Sequence, residues 1–408
     1  MLKSLLSSSA YSVAAAVVSY TIIIYLARIY SVETFSYYLY VMAWGLIIVQ
    51  FIDFASEQCL VHFARKNSKT IENAWYTLAL FKCLILTTFI TILFFIKNFI
   101  FVDIPYECLL LVIPVIYMGP IYEYYGKNVL YAQFLLLEKI IFLSFIIIIT
   151  ILRLDIIFVI FSYFLVSIFS LALQRYGFPR NKIDKNDNLI SDIKLYTMSY
   201  LPVYLILLSQ LFYGNISRLI IEAKIGVIAF ASITLALQIV NAISMVQSQV
   251  DRHMRPVVIQ AVSAGAQVDL GMIAKQYLLY YLMPIAIGCV SMSVFSANII
   301  TVLFGPKWIE AGNALSLASP LIFTIACMRF IDILVVPLNA ARVNLVVNVV
   351  SSAMLFVLLW LNPNDGLGSY VLLIVLCQAT HVAFMSAYVY VQAKRQMALV
   401  AVTSRAPD

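Results

Sequence analysis

Charge is scarce in this chain. Only 11% of its 408 residues are Asp, Glu, Lys or Arg, and no polar stretch is long enough to build a water-exposed lobe. That scarcity excludes a protein whose helices each turn a polar face to water. Histidine is nearly absent: His62, His253 and His381 stand far apart and spell out neither a metal site nor a catalytic relay. The six cysteines form no CxxC pair, so they read as small apolar side chains rather than disulfide partners or metal ligands. A glycine-rich phosphate loop is also missing, which argues against ATP hydrolysis by this chain. No enzyme, cofactor or metal is expected.

What is present is hydrocarbon. Hydrophobic residues make up 63% of the chain, and the mean hydropathy is +0.99. A helix rising ~1.5 Å per residue needs about 20 apolar residues to cross a bilayer core roughly 30 Å thick. Segments of that kind occupy 11–30, 37–55, 74–96, 109–125, 130–152, 156–173, 196–216, 227–250, 272–296, 314–336, 343–361 and 367–391. Runs such as 146–149 show no alternation of polar and apolar residues, so the segments are helices and not barrel strands. The first is too long for a signal-peptide core and reads as a retained span. The expected fold is an all-α integral membrane protein with twelve transmembrane helices in two six-helix bundles. The bundles cover 1–175 and 195–408, and the Asn-, Asp- and Lys-rich stretch 176–194 links them.

Basic residues set the expected orientation. With both termini cytoplasmic, the inner connections hold Arg65, Lys66, Lys69, Arg175, Arg180, Lys182, Lys185, Lys394 and Arg395 among others. The opposite side holds only Arg28, Lys97, Arg153, Arg218, Lys224 and Lys307. The net charge of +7 then serves contact with membrane lipid and not with nucleic acid.

Charges inside the spans carry the most information, because each costs at least ~2.5–3.5 kcal/mol near the bilayer centre and must face the bundle interior. Asp53, Glu57, Lys82, Glu123, Glu138, Lys139, Arg218, Arg329 and Asp332 form this set. The functional reading is a polar cavity whose cations Arg28, Lys82, Arg218 and Arg329 hold an anionic head group, while Asp53 or Asp332 neutralises them or carries a proton. The bland reading is that the charges satisfy one another or reach to the interface. Tyrosine clusters such as Tyr37, Tyr38 and Tyr40 fit an interfacial aromatic belt or a sugar-stacking surface. Pro114, Gly119, Pro120, Pro202, Gly214, Pro284, Gly288 and Pro320 mark points where spans can bend.

Three stretches carry a resemblance. The segment LFGPKWIEAGNALSLASPLIFTIA (303–326) resembles the junction between the ninth and tenth helices of bacterial polysaccharide flippases. SVETFSYYLYVMAWGLIIVQFIDFA (31–55) is similar to that family's second span, and NISRLIIEAKIGVIAFASITLALQIV (215–240) to its segment that opens on Asp-Arg and runs through two spaced glycines to a tyrosine. Ser36, Ala55 and Ser217 stand where the family has Gly, Gly and Asp. The resemblance implies an O-antigen or capsule-repeat flippase of the multidrug/oligosaccharidyl-lipid/polysaccharide exporter superfamily, multi-pass in the bacterial inner membrane. It implies an undecaprenyl-diphosphate-linked glycan as substrate, moved by alternating access through a cavity between the halves. It further implies Arg28 and Arg218 in a cationic lumen with Asp53 as partner, and association with a polysaccharide polymerase and chain-length machinery. The alternatives are a drug or cation antiporter of the same superfamily, which would favour acidic cavity residues, and a membrane polysaccharide polymerase or ligase, which would need a large exterior loop.

Coupling to an ion gradient through Asp53 or Asp332 predicts that Asp53→Asn and Asp332→Asn slow transport in reconstituted vesicles. Rates equal to those of the unmodified chain would remove that coupling.

Overall fold

The computed structural model describes residues 2–66, 70–99, 104–177, 189–244, 277–335, 340–363 and 366–403, and all regular structure among them is helical. The helices are α1 (Leu2–Ile29), α2 (Val32–Asp53), α3 (Ser56–Lys66), α4 (Ile71–Phe99), α5 (Gly119–Tyr124), α6 (Asn128–Ile151), α7 (Ile156–Tyr176), α8 (Leu189–Leu211), α9 (Ser217–Ile225), α10 (Val227–Ser244), α11 (Met283–Phe304), α12 (Ile309–Ala318), α13 (Pro320–Val335), α14 (Ala341–Leu361) and α15 (Leu367–Thr403). Among the described residues ten helices are long and apolar enough to cross a membrane, or eleven if the bent pair α12 and α13 counts as one span. The chain is a multi-pass membrane protein. Large side chains such as Leu84, Ile148, Val290, Val294 and Leu376 are exposed, as helices solvated by lipid require.

The expected fourth span, 109–125, is not a continuous helix. Tyr106–Leu111 and Ile113–Ile116 are 3₁₀ turns, followed by the short α5. Pro105, Pro114 and Pro120 explain the break, since each removes a backbone donor and clashes with the turn before it. An irregular backbone at membrane depth is tolerated only where protein covers it. Here it lies against α2, α4 and α7. Gly45 on α2 permits the contact, because a Cβ there would fall 2.8 Å from Leu111 Cβ. Gln174 on α7, fully buried, accepts the Met118 N–H at 2.9 Å through Oε1, and its carbonyl accepts the Tyr122 hydroxyl at 2.6 Å.

Other expected bends resolve differently. α12 and α13 meet at 44° around Ser319 and Pro320, whereas Pro202 lies inside the unbroken α8. Pro284 follows a single π turn at Leu278–Leu282 inside a helix that runs on into α11, so the widened turn takes up its missing N–H. The expected spans 227–250 and 272–296 are described only to 244 and from 277, and their remaining residues lie outside the description.

Two compact units emerge, Met1–Leu208 and Ser209–Asp408. The expected linker 176–194 is described only at 176–177 and 189–194, and α8 already begins at Leu189. In the first unit α1 packs on α6 and α6 on α7. A cluster of Phe54, Phe63, Ile71, Met118, Tyr122, Tyr196 and Tyr200 fills the end where α3 and α5 meet α8. In the second unit α11 packs on α12 so closely that a Cβ on Gly312 would lie 2.9 Å from Ala297 Cα, a small-residue contact of the kind that joins helices in lipid. The corner between them turns at Gly305, whose φ of 98° suits glycine, and buries Trp308. α15 then packs against α12, α13 and α14.

Gln174→Leu keeps the volume of the side chain but orphans the Met118 N–H. It is expected to lower stability by about 1–3 kcal/mol, measured by thermal unfolding in detergent. An unchanged melting curve would show that Gln174 does not support the irregular segment.

Candidate functional site

The sequence-predicted charges form two clusters in the first unit and one in the second. In the first unit, α2 ends at Asp53, and Phe54 and Ala55 take φ of 48° and 58°, so the chain turns sharply into α3. The turn brings the Asp53 carboxylate back over the new helix, where Oδ2 accepts the Ser56 N–H at 3.1 Å and Oδ1 accepts the Ser56 hydroxyl. Lys82 reaches across from α4, with Nζ 2.7 Å from Asp53 Oδ1 and 2.6 Å from Ser56 Oγ, and its side chain is only 7% exposed. This is an ion pair with its hydrogen bonds made, anchoring α4 to the α2–α3 turn. Arg28 stands exposed in the last turn of α1.

Glu138 and Lys139 make a second internal constellation. The buried Glu138 carboxylate accepts the Tyr117 hydroxyl at 2.7 Å and lies 2.7 Å from Lys139 Nζ, which sits 5.3 Å above the Tyr163 ring. Glu123 is exposed, and the side chain of Glu57 lies outside the description.

The second unit holds a cavity of about 470 Å³ whose wall includes Arg218, Arg329 and Asp332. Its construction begins at Phe212–Ile216, where α8 widens into one π turn before α9, and Ser217 N–H reaches back to the Phe212 carbonyl. Single π turns inside α-helices recur at binding sites because they redirect side chains. Here the turn presents Arg218, which donates through Nε to the Gly214 carbonyl at 2.7 Å and through Nη2 to Asn215 Oδ1. Among the described residues none accepts from Nη1. Arg329 and Asp332, three apart on α13, share a helix face and open onto the same space.

Neutral polar residues complete the wall, among them Gln210, Asn241, Asn348 and Gln378, which the sequence did not single out, and His381, which it marked only as an isolated histidine. Asn348 is tied to its own helix by Nδ2, which donates to the Asn344 carbonyl and to Asn344 Oδ1 at 2.9 Å each. His381 is buried, with the Tyr213 ring edge-on at 6.4 Å. The signal that could have found them is the spacing Asn344/Asn348 and Gln378/His381, one helix turn apart within otherwise apolar spans. The cavity therefore gathers three of the six expected site residues, Arg218, Arg329 and Asp332. Lys82 and Asp53 belong to the ion pair of the first unit. Among the described residues no group of His, Cys, Asp and Glu is placed to hold a metal ion.

No protein-family model matches this chain, and no curated protein sequence is significantly similar to it. Solved structures do share its fold. The inward-facing conformation of a multidrug resistance MATE family transporter of the MOP superfamily aligns over 95% of this chain and 96% of its own, with a TM-score of 0.57 and 13% identity. The outward-facing conformation of a multidrug resistance MATE family transporter of that superfamily aligns over 96% of each chain, with a TM-score of 0.53 and 12% identity. At such identities the likeness is one of fold. The chain is thus a multi-pass α-helical membrane protein with the architecture found in these transporters.

Lys82→Met leaves the Asp53 carboxylate without its cation and is expected to cost about 3–5 kcal/mol. The double variant Lys82→Met, Asp53→Asn should recover most of that loss in thermal unfolding of the purified protein. A double variant as unstable as the single one would show that the pair is not what holds α4 to the turn.

Proposed function

We propose that the protein is a flippase that carries an undecaprenyl-diphosphate-linked oligosaccharide across the bacterial inner membrane by alternating access, with both termini cytoplasmic. The observation that carries this reading is the sign of the cavity: two arginines, Arg218 and Arg329, stand against one aspartate, Asp332. A cavity with excess positive charge favours an anion. The polysaccharide-flippase resemblance of 303–326, 31–55 and 215–240 and the shared fold of membrane transporters support the same reading.

The physical task is to remove a diphosphate from water. At an effective dielectric constant of ~20, one unit charge held 4 Å from another is worth about 4 kcal/mol, so two guanidinium groups replace a large part of the lost hydration. Arginine suits this better than lysine, because its planar fork donates two parallel hydrogen bonds to phosphate oxygens. Arg218 comes with Nε and Nη2 already fixed, so its orientation is set before the ligand arrives. The glycan follows the diphosphate through the polar space, and the polyprenyl tail stays in hydrocarbon. Asp332 is the acidic group placed to lower the net charge when protons or ions are exchanged.

A drug or cation antiporter is the second reading, favoured by Asp332 in the cavity wall and by the multidrug transporters that share the fold. One experiment separates the two. In proteoliposomes carrying an undecaprenyl-diphosphate oligosaccharide, arrival of the glycan at the far leaflet is scored with a membrane-impermeant glycosidase. Arg218→Gln and Arg329→Gln are each expected to slow arrival about 10- to 100-fold, the loss of one charge-assisted hydrogen bond of ~1.5–3 kcal/mol. Arrival no faster than in protein-free vesicles, together with proton-driven uptake of a lipophilic cation that Asp332→Asn abolishes, would replace the flippase with the antiporter.

A further inference from the structure

A second hollow adjoins the polar cavity. It has a volume of about 270 Å³ and runs between α14 and α15, lined by Val346, Val347, Val350, Met354, Cys377 and Phe384, with Ser351, Thr380 and His381 at its edges. Its outer rim is open: Val346, Val350 and Phe384 are each more than half exposed, and these helices are membrane spans. Thr380 Oγ1 is already committed, donating to the Leu376 carbonyl at 2.6 Å within its own helix, and the rest of the lining is mostly hydrocarbon.

His381 belongs to the walls of both hollows. It is 4% exposed, and its Nε2 makes no hydrogen bond among the described residues. A buried imidazole nitrogen without a partner costs free energy unless a ligand or water completes it. The residue therefore stands where an apolar trough facing lipid meets a polar chamber with an excess of positive charge. One kind of molecule fits both sides of such a junction, an anionic head group continuous with a hydrocarbon chain.

We infer that the groove between α14 and α15 is the seat of the proximal part of the cargo's polyprenyl chain, with the diphosphate lodged beyond His381 in the polar cavity. This rests on the proposed flippase reading and adds to it a tail site and a junction residue. Nε2 of the imidazole donates to the phosphate oxygen nearest the chain, which gives the unpartnered nitrogen its hydrogen bond. The volume of the groove admits a short stretch of chain, so the rest of the polyprenyl group lies in the bilayer. The seat also accounts for a polar cavity that approaches a lipid-facing surface at one buried side chain: the head group can enter sideways without dragging its chain through the polar space.

The test uses the full chain in phosphatidylcholine vesicles and two probes. One is a long-chain polyprenyl diphosphate with a diazirine in its first isoprene units, and the other is dimethylallyl diphosphate, which keeps the head group and lacks the long chain. Photolysis of the unmodified protein is expected to label peptides within 346–354 and 377–384, and added phosphatidylglycerol should not compete. Val350→Trp, which fills the groove from its exposed rim, is expected to lower affinity for the long-chain probe relative to the short one by about ten-fold. Arg218→Gln should weaken both probes alike. Label that falls on other helices, label that phosphatidylglycerol displaces, or an unchanged affinity ratio in Val350→Trp would overturn the tail site while leaving the flippase reading intact. If neither probe binds the unmodified protein, the flippase reading fails and the tail site fails with it. The labelling pattern needs no variant, so a Val350→Trp chain that does not fold leaves the inference open to refutation.

Discussion

Every backbone N–H and C=O within the hydrocarbon must find its partner inside the protein, and the rest of this structure is organised around that requirement. Continuous helices meet it automatically. Where the chain leaves the helix, a named polar side chain takes over. Gln174 accepts the Met118 N–H beside the irregular fourth segment, and Asp53 accepts the Ser56 N–H after the left-handed turn at Phe54 and Ala55. Arg218 donates to the Gly214 carbonyl in the π turn. Three polar residues that would be costly in an apolar span are thus tied to three interruptions of regular backbone.

This link separates charges that hold the fold from charges available to a ligand. Lys82 is an ammonium with a carboxylate and a hydroxyl already at hydrogen-bonding distance, and the pair is close to neutral from outside. Glu138 and Lys139 cancel in the same way. Arg218 differs because its partners in the π turn are a carbonyl and an amide, which orient the guanidinium without neutralising it. A cation fixed by dipoles keeps its field, whereas a cation fixed by a carboxylate gives most of it up. By this measure the proposed substrate site rests first on Arg218, and not on every buried base that hydropathy exposes.

Much of this was legible in the residues. Eleven of the twelve apolar segments have a described helix or a bent helix pair within them, because 20 consecutive apolar residues admit few other structures in lipid. The fourth differs because Pro114 and Pro120, expected only to bend a helix, end it outright as missing donors and leave 3₁₀ turns and a short helix in its place. Arg218, Arg329 and Asp332 could be singled out because a charge in an apolar run must face inward. Their separation from Lys82 and Asp53 could not. It depends on a turn at Phe54 and Ala55 that no glycine or proline announces, and on a partner 29 residues distant. Gln174 and Asn348 escaped notice for a related reason: neutral polar side chains cost less in a span than charged ones and stand out less from their neighbours, and His381 was seen only as an isolated histidine.

A fold held in common with multidrug transporters at 13% identity leaves function to be decided by a small number of side chains. In a cavity of low dielectric, the sign of the net charge is the first filter on what can enter, since a ligand of the wrong sign loses its hydration and gains repulsion as well. Here that sign depends on two arginines and one aspartate, so the balance is narrow. Exchange of one arginine for a neutral residue would bring the wall to neutrality, and a second exchange would make it acidic. Anion and cation carriers are therefore close neighbours on this scaffold. In the proposed flippase Arg218 holds the cavity on the anionic side because its own turn keeps it in place: a guanidinium locked by Gly214 and Asn215 cannot swing away to pair with Asp332 through the Nε and Nη2 donors it has already committed.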